Sequence, residues 1–226
     1  MSILNFSRQN LKELELEDED AAYLNASNNL IASTWGIHLM VNLREVDFSY
    51  NLIRQIEGWG YLSQLEIIDM SHNCLASTFG LRSCIKVHTL LLRGNFLRGI
   101  EGLEGMKELK YLDVSHNQLN DVFASIRPLS LNAKLQSLFL EGNPLPAYRQ
   151  YCYSMLQSLA LLDGVPTPPS NANNKPGSLR SCYSIKKRPV QEKGSKVLTQ
   201  RCRSAFSTSR NQEFYEPRHA TSRKII

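Results

Sequence analysis

Carboxylates and imidazoles are the side chains whose spacing invites a chemical reading. Asp47, Asp69 and Asp113 lie at intervals of 22 and 44 residues, Glu45 stands two before the first, and His72 and His116 are 44 apart. Brought onto one surface, such groups would make a metal or acid–base site, because imidazole and carboxylate bind divalent ions and exchange protons near neutral pH. Regular spacing has a plainer source as well: a repeating backbone that puts the same residue type in the same slot. Which reading holds depends on the elements that carry these residues.

Those elements are written as one phrase used again and again. "EVDFSYNLI" (45–53), "IIDMSHNCL" (67–75), "TLLLRGNFL" (89–97), "YLDVSHNQL" (111–119) and "SLFLEGNPL" (137–145) share an asparagine, and "YLNASNNLI" (23–31) is a weaker copy. The asparagines are Asn29, Asn51, Asn73, Asn95, Asn117 and Asn143, with gaps of 22, 22, 22, 22 and 26 residues. A fixed period of this size is the mark of a solenoid. Five residues before each asparagine stand Leu24, Val46, Ile68, Leu90, Leu112 and Leu138; three before it, Ala26, Phe48, Met70, Leu92, Val114 and Leu140. Side chains two apart on an extended chain share a face, so each phrase predicts a short strand with an inward pair. Stacked copies then form a parallel sheet over one continuous core that no single copy could bury. The asparagine falls where the chain leaves the strand, and its amide can both donate to and accept from the turn's backbone. Gly36, Gly58, Gly80 and Gly102 recur seven residues later, as expected of a tight corner or a close backbone approach.

The pattern resembles the leucine-rich repeat, specifically its 22-residue SDS-type class. "EGNPLPAYRQYCYSMLQSLALLDG" (141–164) is similar to the C-terminal cap of that class, with Gly142, Asn143 and Pro144 leading to Tyr148 and Arg149 and closing on Leu162, Asp163 and Gly164. The resemblance implies an α/β fold, a solenoid with a parallel concave sheet. It also divides the chain: a capping segment at 1–22, about six repeats at 23–145, a cap helix at 146–164 and a tail at 165–226. In the capping segment, "LKELELEDEDA" (11–21) would use Leu11, Leu14 and Leu16 to cover the open end of the core. Four extra residues before the last copy, in "ASIRPLSLNAKL" (124–135), predict a longer return segment there.

Charge divides the chain in the same place. Residues 1–164 carry 13 Lys+Arg against 18 Asp+Glu, a net of −5; residues 165–226 carry 13 against 3, a net of +10. The tail is rich in Pro, Asn, Ser and Gly and poor in large aliphatic residues, a composition that cannot offset the entropy of ordering, so disorder is expected. Lys186, Lys187, Arg188, Arg201 and Arg203 are its candidate contacts to an acidic partner, and a nucleic acid is the less favoured one because aromatics are sparse. "KKRP" (186–189) is a weak nuclear address, and Ser204 and Thr221 have arginines close by. No apolar run is long enough for a membrane span, and no secretory leader is expected. Five cysteines without a paired spacing fit a reducing compartment.

The sequence carries no phosphate-cradling glycine loop, no HExxH and no GxSxG. His72 and His116 directly precede ladder asparagines, in a slot also filled by Asn28, Tyr50, Gly94 and Gly142, and are read as occupants of a permissive turn position. No catalytic residue, metal ligand or cofactor is assigned. Outward strand positions are the better candidates. They form an acidic ridge of Glu45, Asp47 and Asp69 and, with Asp113 beside it, a patch of Leu91, Arg93, Tyr111 and Phe139, residue types favoured at interface hot spots. The expected function is a non-catalytic protein-interaction scaffold. Through the resemblance, that points to a cytoskeletal adaptor of axoneme, cilium or centrosome with tubulin or dynein as partner. Alternatives are a regulatory subunit binding a type-1 phosphatase catalytic subunit, or a nuclear ribonucleoprotein component. A cytoplasmic location at the cytoskeleton is expected, with the nucleus as the alternative.

Overall fold

The structure is a computed structural model and describes residues 2–16 and 20–168. Nine strands form one sheet in chain order: β1 (Ser2–Asn5), β2 (Ala21–Asn25), β3 (Glu45–Asp47), β4 (Ile67–Asp69), β5 (Thr89–Leu91), β6 (Tyr111–Asp113), β7 (Ser137–Phe139), β8 (Leu161–Leu162) and β9 (Val165–Pro166). All neighbours are parallel except β8 and β9. The register is unslipped from β2 to β7, pairing Leu24 with Val46, then Ile68, Leu90, Leu112 and Leu138. Every one of these six is fully buried. A one-residue slip would turn this whole column to water, which is why the register holds. Between strands the chain returns through short 3-10 turns at Ile37–Leu39, Trp59–Tyr61 and Phe79–Leu81.

The asparagines knit successive turns. Asn73 Nδ2 donates to Met70 O of its own copy at 3.1 Å and to Phe48 O of the copy before at 2.9 Å, while its Oδ1 accepts from Ile53 N at 3.0 Å. Asn51, Asn95, Asn117 and Asn143 repeat the same three bonds. Each amide thus saturates backbone groups that the turn would otherwise bury unpaired.

The N-terminal segment departs from expectation. It holds a strand, β1, and one further copy of the phrase. Leu4 pairs with Leu24, and Gln9 occupies the ladder slot: Gln9 N and Leu11 N both donate to Asn29 Oδ1, at 3.0 and 3.1 Å. The copy at 23–31 is therefore an internal repeat covered by another one. Leu11, Leu14 and Leu16 do pack against the core, together with Leu4 and Phe6. At the other end, the four extra residues are taken up by α1 (Val122–Ile126), capped by the Asp121 carboxylate, running into a 3-10 turn at Arg127–Leu131. The cap helix α2 (Tyr148–Met155) packs beside α1. Asp163 closes the stack, its Oδ1 accepting from Leu140 N and Glu141 N at 2.8 and 3.0 Å and its Oδ2 held by Tyr148 Oη at 2.5 Å and Arg149 Nη2 at 2.9 Å. The expected tail starts four residues too early: β9 pairs with β8, and Thr167 N and Oγ1 donate to Ala160 O and Leu159 O. Lys186, Lys187, Arg188, Arg201 and Arg203 lie outside the described residues.

Candidate functional site: the concave sheet

The outward side chains of β2 to β7 make one surface, arranged in columns by the in-register pairing. Asn25, Asp47, Asp69, Leu91, Asp113 and Phe139 form the middle column. Tyr23, Glu45, Ile67, Thr89, Tyr111 and Ser137 form the first.

The aspartates serve the backbone. Asp47 Oδ1 accepts from Ser49 N at 2.9 Å and Ser49 Oγ at 2.6 Å; Asp113 Oδ1 accepts from Ser115 N at 2.9 Å and Ser115 Oγ at 2.5 Å; Asp69 Oδ1 accepts from Ser71 N at 2.8 Å. Asn25 fills the same place for Ser27. Each is a side chain that tightens the strand-to-turn corner two residues on. Stacking like charges in register costs energy, and the carboxyls register it. Burial first, then neighbouring Asp47, pushes Asp69 up to about 7 against the bonds from Ser71. Burial raises Asp47 and Asp113 as well, and burial together with Asp47 raises Glu45.

Beyond Asp69 the surface changes character. Leu91 is half-buried between Asp69 and Asp113, and the rings of Tyr111 and Phe139 lie 5.3 Å apart on adjoining strands. Arg93 reaches across two strands, donating to Ser115 Oγ at 3.1 Å and to Glu141 Oε1 at 3.3 Å. The structure thus groups Leu91, Arg93, Tyr111, Asp113 and Phe139, and sets Glu45, Asp47 and Asp69 on the strands beside them.

The histidines belong to the turn edge. Arg8, Asn28, Tyr50, His72, Gly94, His116 and Gly142 all have φ between 55° and 74°, so the slot before each ladder position is left-handed. Tyr50 and His72 stack at 4.3 Å, nearly parallel. His72 next covers Gly94, where an added Cβ would stand 2.7 Å from the imidazole; His116 covers Gly142 at 2.6 Å. Burial first, then Arg93 and His116, lowers the His72 imidazole to about 4, which keeps it neutral. Among the described residues no group of three His, Cys, Asp or Glu is placed to hold a metal.

Comparison with known proteins agrees with this geometry. A family model, Leucine Rich Repeat, matches residues 108–129, the β6 copy and its return. A crystal structure of an internalin (InlF) from Listeria monocytogenes superposes with a TM-score of 0.58 at 21% identity, over 65% of this chain and 42% of that one. A second internalin, InlC2 of the same organism, gives 0.46 at 22% identity over 68% and 76%. The chain therefore spans less than half the length of the InlF structure. No curated protein sequence matches. The fold is a leucine-rich-repeat solenoid with a parallel concave sheet.

Proposed function

We propose that the protein is a non-catalytic interaction scaffold whose concave sheet grips a protein partner at Leu91, Arg93, Tyr111 and Phe139. The carrying observation is the Tyr111–Phe139 ring pair on an open sheet face, with an arginine–glutamate pair at its rim. The serine–carboxylate turns account for Asp47, Asp69 and Asp113 through the fold itself, whereas nothing in the repeat requires two rings and a leucine facing out. Such a patch buries well against a helix laid across the strands. The acidic ridge beside it selects a partner with basic residues at one end.

The finer reading is a cytoskeletal adaptor in the cytoplasm, at an axoneme, cilium or centrosome. Its support is the charge division of the chain: a net of −5 over 1–164 and +10 over 165–226. A strongly basic segment suits an acidic polymer such as tubulin, while the concave face holds a separate protein such as dynein. Replacing Tyr111 and Phe139 together by alanine tests the patch. Binding to the captured partner should fall at least tenfold with melting unchanged; equal recovery by the double variant overturns the assignment. Recovery of a phosphatase catalytic subunit in place of tubulin or dynein would replace the cytoskeletal reading with a regulatory-subunit one.

A further inference from the structure

The turns that follow the ladder asparagines repeat with twice the strand period. Residues 32–36 read ASTWG and 76–80 ASTFG; between and after them, 54–58 read RQIEG and 98–102 RGIEG. Much of this 44-residue alternation has a structural cause. Ser33 Oγ and Ser77 Oγ each accept from the backbone N two residues on, at 3.1 Å. Thr34 Oγ1 donates to Glu57 O at 2.9 Å and accepts from Glu57 N at 3.0 Å, and Thr78 Oγ1 donates to Glu101 O at 2.6 Å. Serine shapes the turn, and threonine pins it to the next copy.

The residue after the threonine has no such role. Trp35 is 68% exposed, Phe79 56% and Phe123, in the same slot of the β6 copy, 52%. Glu57 and Glu101 fill that slot in the copies between, also exposed. Since a glutamate suits the position, the fold does not ask for a ring at Trp35 or Phe79, while Phe123 also meets the Tyr151 ring of α2 edge-on at 6.2 Å. Yet rings return at every second copy, each with a basic or imidazole group three or four residues on. His38 lies 5.1 Å from Trp35, Arg82 4.5 Å over Phe79 and Arg127 5.4 Å over Phe123. One edge of the solenoid thus carries the row ring, carboxylate, ring, carboxylate, ring.

The spacing of that row selects a ligand. Strands lie about 4.8 Å apart, which puts rings in alternate copies roughly 10 Å apart. A polyproline II helix rises about 3.1 Å per residue with three residues per turn, so one face recurs about every 9.3 Å. A β-strand repeats a face about every 6.7 Å and an α-helix about every 5.4 Å; neither matches. We propose that this edge binds an extended proline-rich segment carrying one basic residue per turn, its prolines on Trp35, Phe79 and Phe123 and its cations opposite Glu57 and Glu101. Arg82 and Arg127 lie on ring faces, and Glu57 and Glu101 are exposed in the slots between the rings. Aromatic-lined surfaces recognise such segments because the ligand is already extended before it binds. This edge is separate from the concave patch and does not depend on it.

Tryptophan emission gives the test. Of the two tryptophans, Trp59 is 1% exposed, so a ligand-induced blue shift reports Trp35. The full chain is titrated with acetyl-(Pro-Pro-Lys)4-amide and with acetyl-(Gly-Gly-Lys)4-amide, which has equal charge and no polyproline preference. A saturable shift with the first peptide alone is expected. It should weaken at least fivefold in Phe79→Glu, a side chain the slot accepts at Glu57 and Glu101, even though the added charge attracts the peptide; Phe79→Gln should weaken it as well. No shift, an equal shift with the glycine peptide, or unchanged affinity in both variants overturns the proposal. So does self-association of the wild-type chain in sedimentation that is lost in Phe79→Glu, which would assign the row to a second copy.

Discussion

The Asp69 carboxyl is held at about 7, well above the 3.8 of an unstructured aspartate, so the folded chain binds its proton more tightly than the unfolded chain does. The stability linked to that proton is fully present below about pH 4 and is lost as pH rises through 7. His72 acts in the opposite sense. Its pKa drops from 6.5 to about 4, so its contribution is present above 6.5 and lost as pH falls toward 4. Asn25 shows that an amide takes the aspartate's place and accepts the same serine bonds. Asp69→Asn should therefore stabilise the chain at pH 8 by on the order of 2 kcal/mol, an advantage that fades to nothing by pH 4. Urea unfolding across that range reads it directly, and a pH-independent difference would show that the carboxylate pays no burial penalty. A second test lies at the turn slot. Gly94→Ala should cost about 1–3 kcal/mol, since alanine meets both a positive φ and the His72 ring. In the double variant with His72→Gly the steric part should disappear and the backbone part remain; simple additivity of the two changes would mean that the ring and the glycine do not meet.

At the scale of the element, the sheet was the most legible part of the sequence because its cause is simple. Side chains alternate along a strand, so Leu90 and Leu92 announce an inward pair wherever the phrase occurs. The asparagine announces itself because only a short amide meets three backbone groups at once. Replacing Asn95 by alanine would leave the buried Leu75 N without its acceptor and take one of two amide donors from each of the Met70 and Leu92 carbonyls, which keep Asn73 and Asn117. A loss of about 1–3 kcal/mol is expected from denaturant unfolding, and a loss below about 0.5 kcal/mol would show that water takes over the Leu75 amide. The first copy is masked for a local reason. Gln9 replaces the asparagine and stands 20 residues before Asn29, so neither letter nor interval matches, although Leu4, Phe6 and Leu11 keep their offsets. The aromatic edge was hidden differently: a column that alternates between two residue types averages away when read at a period of 22. The aspartates are legible by position but not by role, because a carboxylate aimed at its own serine looks, in a sequence, like one aimed at a partner.

For the whole molecule the governing asymmetry is charge, and the structure fixes where to cut between its two parts. Ending the chain at 164 would remove β9 and the two bonds from Thr167 that hold it to the last repeat. Ending it at 168 keeps them and alters no charge in the domain, because residues 165–168 carry none. The 1–168 chain should therefore melt as the full chain does, and any change in binding belongs to the basic residues removed. The full chain should bind purified tubulin with an affinity that falls at least tenfold between 50 and 300 mM salt, since exposed charges are screened beyond about a Debye length, which shrinks from roughly 14 to 6 Å over that range. The truncated chain, net −5 and facing an acidic polymer, should not bind. If the 1–168 chain binds tubulin as tightly as the full one, the contact lies on the folded domain, and the tether is wrong. If only the full chain binds but without salt dependence, the tail makes specific apolar contacts and charge is not what recruits the polymer. Loss of binding on truncation and loss with salt, seen together, are what electrostatic tethering by residues 169–226 requires.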